Sequence, residues 1–472
     1  MRRHRFSSTG TLAVVCFATA MLMLDIAVVN TALPKVAADL HANLTGIQWI
    51  VDAYTLALAA VVLTAGSIAD RIGRRLIFTT GMGIFTATSL ACAIAPNIAV
   101  LDAARAVQGI GAAMMFASSL AILVDAFPTE LGRTKAFAAY GATIGAAFAV
   151  GPLVGGALTS GITWRAVFYV NVPLGIAALA ASYMWLRESR DPSPRAIDRI
   201  GQATLTGGLF LLILALLRGN HEGWGSALIV AELVGAGVLL ALFVFTESRV
   251  QHPMLPLHLF RRSDFSGSQI AAFTVSASFF ALFLYITLYL QEVLRLSPIQ
   301  AGLVILPGTI LMFAVSGATA QLMTRIRPGL LVVVGLVLVA VGLAMMTLDG
   351  VHSSWTALLP GEFVVCFGTG LINPALAAVA MGSVPEHQSG LAAGANDAFR
   401  QTGIAVGVAA FGALVPAAAA VGHGSAAAYV TGWHTAMFVG VGLAIVGALV
   451  TAALLIGRRT EVPTGDLVLD VA

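Results

Sequence analysis

Apolar residues run along the chain in blocks of about twenty, too long and too continuous for the one-sided stripe of a water-soluble helix. Fourteen blocks are predicted as membrane-spanning helices, at about residues 11–33, 46–69, 76–95, 99–123, 136–159, 164–186, 200–218, 226–246, 266–290, 298–322, 329–348, 355–378, 391–416 and 432–456. Each approaches the roughly 20 residues that a helix needs to cross the hydrocarbon core. The longest polar stretches, 187–199 and 247–265, read as loops, so no separate soluble domain is expected. Met1-Arg2-Arg3-His4-Arg5 before the first block looks like the start of a signal peptide. That block exceeds twenty residues, holds Asp25 and lacks a small-residue cleavage site, so it is read as an uncleaved first span.

The basic residues set the predicted orientation. With the N-terminus inside, Lys35, Arg165, Arg218 and Arg295 fall on the outer face and Arg105 and Arg400 within spans. Every other Lys and Arg falls on the cytoplasmic face, which puts both termini in the cytoplasm and the chain in a plasma membrane, by composition a bacterial one. Trp49, Trp164, Trp224, Trp355 and Trp433 fall at predicted outer ends, where interfacial anchors are expected.

Composition narrows the function. The chain is 58% hydrophobic and 10% charged, against about a quarter charged in soluble proteins. A net charge of +3 leaves no basic face for nucleic acid. Cys16, Cys92 and Cys366 lie far apart inside apolar blocks and read as small core residues. No histidine lies deep in a span or at metal-ligand spacing, so neither a metal nor an enzymatic centre is expected. Lys35 follows Pro34 and Lys135 follows Thr134, so no phosphate-binding Gly-Lys-Ser/Thr exists. Without a cofactor, the energy source is an ion gradient, worth ~2.3 kcal/mol per charge at 100 mV.

Weak repeats join blocks eight apart. Gln108-Gly109-Ile110-Gly111 in the fourth resembles Phe367-Gly368-Thr369-Gly370 in the twelfth, and Gly66 to Arg71 in the second resembles Gly317 to Gln321 in the tenth. Blocks 1–6 then match 9–14, with two inserted between. The expected division is a six-helix half at 1–186, a linker with two extra spans at 187–265, a second six-helix half at 266–456 and a cytoplasmic tail at 457–472. Paired halves facing a cavity suit alternating access.

Several motifs carry a family resemblance over nearly the whole chain. Leu24-Asp25-Ile26-Ala27-Val28-Val29-Asn30-Thr31-Ala32-Leu33-Pro34 resembles the first-span signature of fourteen-span drug:proton antiporters of the major facilitator superfamily, the EmrB/QacA type. Gly66-Ser67-Ile68-Ala69-Asp70-Arg71-Ile72-Gly73-Arg74-Arg75 is similar to the superfamily's loop 2–3 motif. Leu101 to Gly111, with Arg105, Gln108 and Gly109, is similar to its span-4 motif. Gly141 to Gly156, with Gly145, Gly151, Pro152, Gly155 and Gly156, resembles the span-5 motif of exporters. Trp164-Arg165 with Asn171-Val172-Pro173-Leu174-Gly175, and Phe399-Arg400-Gln401 with Gly403 and Gly407, add to the likeness. The resemblance implies an all-α major facilitator fold, proton coupling, and a latch role for Gly66, Asp70, Arg71, Gly73 and Arg74.

Chemistry singles out the charges inside spans, where a carboxylate costs ~2.5–3.5 kcal/mol unless it meets a cavity or a partner. Asp25 lies ~12 Å along the helix from the outer end of the first span, and Arg105 lies ~9 Å inside the fourth from the same face. Asp52 is at similar depth in the second. Burial favours the neutral acid and a movable Arg⁺ favours the carboxylate, so the three together suggest a proton site. Asp102, three residues before Arg105, offers it a local alternative partner. In span 13, Asn396, Asp397, Arg400 and Gln401 cluster near the inner end, either as a self-neutralised packing unit or as a polar lining; Glu362, deep in span 12, is a candidate substrate contact. Glu232 reads as interfacial and Asp125 as marking a cytoplasmic boundary. Gly66 and the span-5 glycines allow close helix approach, and Pro152 frees the carbonyl of Phe148.

The expected function is a proton-driven exporter of amphipathic or cationic small molecules, acting as a monomer in the bilayer. A dedicated exporter of one secondary metabolite is the alternative, and a nutrient importer on the same fold is disfavoured by the span-5 motif.

Overall fold

The computed structural model describes residues 7–190, 198–250, 253–384, 389–420 and 424–456. Helices account for nearly all of them. α1 is Ser8–Leu40, α2 Leu44–Ile72, α3 Arg74–Ala93, α4 Ile98–Ala126, α5 Glu130–Gly161 and α6 Ala166–Trp185. A peripheral hairpin follows, α7 (Arg199–Glu222) and α8 (Ala227–Glu247). The last six are α9 (Ser263–Val293), α10 (Pro298–Leu322), α11 (Pro328–Met345), α12 (Leu358–Gly382), α13 (Ser389–Gly412) and α14 (Ala426–Leu455).

Among the described residues thirteen helices are long and apolar enough to cross a membrane. The remaining long helix, α13, has 24 residues but carries Asn396, Asp397, Arg400 and Gln401, and is not among the thirteen. Polar residues start the helices where their backbone N–H groups are left open. The side chains of Ser7, Asn43, Asn97, Thr129, Asp198, Ser226, Ser297 and Ser425 each accept from the first turn that follows. His41, at φ 53°, ends α1 in the left-handed region.

Small residues set the closest contacts, as expected where lipid gives no hydrophobic drive between helices. A Cβ on Gly111 would lie 2.8 Å from the Gly81 carbonyl oxygen, which seats α4 on α3; one on Gly109 would lie 2.4 Å from that of Tyr54, which seats α4 on α2. The sequence-related glycines of α12 do the same on α11 and α10: a Cβ on Gly368 would lie 2.6 Å from the Gly335 carbonyl oxygen and one on Gly370 2.8 Å from that of Met312. The repeat is thus expressed in packing. α9 is the most buried of the candidate spans, at 89% of its apolar window, and includes two π-helical turns, Ser276–Phe280 and Tyr289–Val293. α7 wedges between α2 and α13 through Leu56, Ile213 and Ala405.

Some anchors are not at the surface. Trp224 and Trp355 are exposed, but Trp433 is buried and stacked on Tyr289 at 5.6 Å. Trp164 is buried too, donating to Asp39 Oδ2 at 2.8 Å. Each ring found a polar or aromatic partner, Asp39 for Trp164 and Tyr289 for Trp433, which a position at a helix end does not reveal. Glu232 is likewise buried, accepting from Arg218 Nη1 at 3.0 Å and tying α8 to α7. All three cysteines are free.

Candidate functional site

Asp25 and Arg105 meet. Arg105 Nη1 donates to Asp25 Oδ2 at 2.6 Å, and both side chains are almost wholly buried. The rest of the shell is amides. Asn171, at the start of the second turn of α6, donates to Asp25 Oδ1 at 2.7 Å, and Gln108 Nε2 donates to the same oxygen at 3.3 Å. Gln108 also accepts from Arg105 Nη1 at 2.8 Å and donates to Ser89 Oγ at 2.8 Å. Arg105 Nε donates to the Ile50 carbonyl at 3.0 Å, while its guanidinium lies 4.2 Å from the Tyr54 ring centroid. A carboxylate at this depth is tolerable because each of its oxygens accepts, one of them from a cation. Asp102 is not among the hydrogen-bond partners of Arg105, and one Asp102 oxygen has no partner.

Asp52 does not join this net. It is fully buried in α2 with neither oxygen hydrogen-bonded, so the expected triad is a pair plus a lone acid. Its neighbour Gln48, one turn earlier, reaches instead into the last six helices. Gln48 Nε2 donates to Tyr285 Oη at 2.9 Å and to the Val408 carbonyl at 3.0 Å, and Tyr285 Oη donates to that carbonyl at 2.5 Å. Gln291 donates to the Thr31 carbonyl at 2.9 Å on the same side of the molecule, that of the α1–α2 turn.

A cavity of about 40 Å³ lies beneath these contacts, with Arg105, Tyr54, Phe148, Phe280 and Phe283 on its wall. Phe148 packs edge-on against Phe280 and Phe283, at 5.4 and 5.6 Å. Glu362, Asn396, Asp397, Arg400 and Gln401 do not touch it, although Ile404 and Val408 of the same helix α13 do. Glu362 is buried against α10, where a Cβ on Gly308 would be 2.5 Å from its Oε1, and its Oε2 has no partner. Asn396 reaches Ser268 and Gln269 at 3.5 Å, the Gln401 Oε1 is unpartnered, and Arg400 stands 5.6 Å over the Phe280 ring.

The glycines of α5 form a seam with two faces. Cβ atoms on Gly151 and Gly155 would strike α1, at 2.2 Å from the Ala27 Cβ and 2.7 Å from the Val28 carbonyl oxygen. On the other face, a Cβ on Gly156 would lie 2.5 Å from the Pro298 carbonyl oxygen and one on Gly145 2.8 Å from the Phe313 ring. The Pro152 carbonyl lies 2.3 Å from where a Gly302 Cβ would be, and Thr309 Oγ1 donates to the Ala149 carbonyl at 2.8 Å.

At the opposite end, Arg74 joins Asp70 Oδ1 at 2.9 Å to Asp125 Oδ2 at 2.8 Å, linking the α2–α3 turn to the end of α4. Asp70 does not cap a helix; Glu188 does, accepting the backbone N–H groups of Arg75 and Leu76, each at 3.1 Å. Gly73, at φ 136°, holds the turn in a conformation open to glycine, and a Cβ there would lie 2.6 Å from Glu188. Arg71 is exposed. Gly66 is not at a close approach: its Cβ would sit 3.9 Å from Ala117, ordinary contact distance. Of the residues that complete these sites, Asn171 and Gln108 were visible only within motifs, Asp125 looked like a boundary charge, and Glu188 was not singled out.

The sequence pattern of the Major Facilitator Superfamily matches residues 15–408. The chain is 34% identical over 414 residues to the tetracenomycin C resistance and export protein of Streptomyces glaucescens, covering 86% of this chain and 75% of that one. It is 34% identical over 397 residues to the multidrug resistance protein Stp of Mycobacterium tuberculosis (84% and 74% covered), and 36% over 402 to the puromycin resistance protein pur8 of Streptomyces alboniger (84% and 80%). Among solved structures, the peptide transporter POT in complex with sulfate superposes with a TM-score of 0.69 at 15% identity, covering 94% of this chain and 95% of that one. The human organic anion transporter MFSD10 (TETRAN) does so at 0.60 and 16%, covering 94% and 100%.

Proposed function

The chain belongs to the Major Facilitator Superfamily, a membrane transporter rather than an enzyme, and on that premise we propose that it is a proton-coupled antiporter exporting amphipathic or cationic small molecules. The observation that carries this reading is the Asp25 net. A carboxylate on α1 is held by Arg105 and Gln108 on α4 and by Asn171 on α6. A proton arriving on Asp25 cancels its charge, releases Arg105 and loosens α1 from α4 and α6. In alternating access those helices rearrange when the outer contacts of Gln48 and Gln291 open. Asp52 is a second acid on that path. The relatives named for drug resistance or export support efflux as the direction.

In this reading α13 is a span despite its polar cluster, giving the fourteen-span drug:proton antiporter type. Two six-helix halves, 1–186 and 266–456, then flank the 187–265 insertion, with both termini and the 457–472 tail in the cytoplasm. The α5 glycine seam is the surface on which the halves rock, and Arg74 with Asp70 and Asp125 is the cytoplasmic latch. The substrate enters from the bilayer or cytoplasm into the aromatic cavity, which Glu362, Asn396, Asp397, Arg400 and Gln401 border once it widens. The protein works as a monomer, binds no nucleic acid and uses no cofactor beyond the proton gradient. A dedicated exporter of one metabolite is the second reading, favoured by the relatives whose names carry a single antibiotic.

The test is ethidium uptake into inverted vesicles under an imposed pH gradient, with wild type against Asp25→Asn. Gradient-driven uptake that disappears in the variant is expected. Equal uptake by both removes Asp25 from coupling, and no uptake by wild type favours the single-metabolite exporter.

A further inference from the structure

The inserted hairpin holds an acidic pair that transport through Asp25 does not use. Asp198 caps α7, its Oδ1 accepting from the Gly201 N–H at 2.7 Å. Glu247 ends α8, its Oε2 accepting from the Leu255 N–H at 3.1 Å. Each carboxyl thereby engages one oxygen and leaves the other, Asp198 Oδ2 and Glu247 Oε1, without a partner. Both side chains are more than nine-tenths buried, at 9% and 3% exposure. The two orphan oxygens converge over the first turn of α7: the point where a Gly201 Cβ would stand is 2.5 Å from Asp198 Oδ2 and 2.7 Å from Glu247 Oε1. Only a residue without a side chain leaves that space open to them.

Among the described residues no basic side chain bonds either orphan oxygen. Arg199 is exposed, and Arg249 is drawn 5.2 Å over the Phe245 ring. From α2 comes Thr64, from α7 Gln202, and from the segment after α8 Met254 and Leu255, all uncharged. Two carboxylates so close in a poorly solvated site cannot both stay ionised.

We propose that Asp198 and Glu247 form a proton-binding site separate from the transport pathway, holding one proton as an O–H···O⁻ bond between the two orphan oxygens. Binding converts the dianionic pair to a monoanion, and no other bond is made or broken. The site is placed to fasten the hairpin. One turn along, Gln202 donates to the Ala60 carbonyl of α2 at 2.7 Å and meets the Thr64 hydroxyl, which also faces Met254 Sδ at 3.4 Å. The shared proton therefore clips together α7, α8, the segment entering α9, and the stretch of α2 that runs into Asp70. When the surrounding pH rises far enough to remove it, the anions repel and the clip opens.

Hydrogen exchange of the full-length protein in lipid nanodiscs, corrected for intrinsic pH dependence, tests this at Leu255 and at the first turn of α7. Wild type should lose protection by ~10-fold or more across the titration. Glu247→Gln and Asp198→Asn, whose amides donate permanently where the proton did, should stay protected at every pH. Infrared difference spectra of wild type should show a protonated carboxyl band that fades over the same range and is absent from both variants. Identical pH profiles in wild type and variants, or no such band, overturn the proposal. Protection that follows added sodium or calcium at constant pH also overturns it, because the pair then holds a metal cation.

Discussion

Asp25 and Glu362 are both acids buried in membrane-spanning helices, at 1% and 3% exposure, and the molecule treats them in opposite ways. Asp25 accepts from Arg105, Gln108 and Asn171 at a depth where an isolated carboxylate is expensive. Glu362 rests on the bare backbone of Gly308 with one oxygen unpartnered. Depth alone therefore does not decide how a buried acid is held. What distinguishes the first six helices is a set of donors to one carboxylate from two helices, α4 and α6.

The most disruptive way to probe this contrast is Arg105→Ala. It strands Asp25 and removes the donor to the Ile50 carbonyl, and should destabilise the purified protein by ~3–5 kcal/mol along with loss of transport. An unchanged melting temperature would mean that the Asp25 net carries little of the fold. Gly156→Val comes next. Its side chain meets the Pro298 carbonyl across the α5–α10 seam, for ~1–3 kcal/mol of overpacking, and cross-linking between these helices should fall with the transport rate. Wild-type transport in that variant would show that the seam need not close tightly.

Arg74→Ala is milder, since its two ion pairs are half-buried; ~1 kcal/mol is expected, with a melting temperature less sensitive to salt than that of wild type. Glu362→Gln should change least, because it keeps the shape and removes no bonded partner. Gradient-driven efflux that collapses in Glu362→Gln as it does in Asp25→Asn would erase the contrast and place coupling in both groups of helices.

Much of this was legible in advance, for reasons that also explain the gaps. A charge inside an apolar block is anomalous, so Asp25 and Arg105 stood out, and counting residues along each helix gave their common depth. Counting does not give rotation about the helix axis. Asp52 shares that depth, yet α2 presents to Arg105 the carbonyl of Ile50 and the ring of Tyr54. Neutral amides carry no such anomaly, so Asn171 and Gln108 emerged only from the motifs around them. Glu188 and Asp125 were hidden because a charge at a helix end needs no special reason to be there. Gly66 misled in the other direction: glycine in a membrane helix suggests close contact, but the nearest neighbour is the small Ala117.

The Gln48 contact carries a consequence for how this sequence can change over generations. The amide nitrogen of Gln48 lies 1.6 Å from where a Cβ on Gly412 would be, so a methyl group at 412 would displace that amide from its bonds to Tyr285 and Val408 while this face is shut. The two positions, far apart in the chain, are bound to drift together. Lineages that enlarge residue 412 should be those that have first shortened residue 48, and an alignment of relatives can be searched for that order of events.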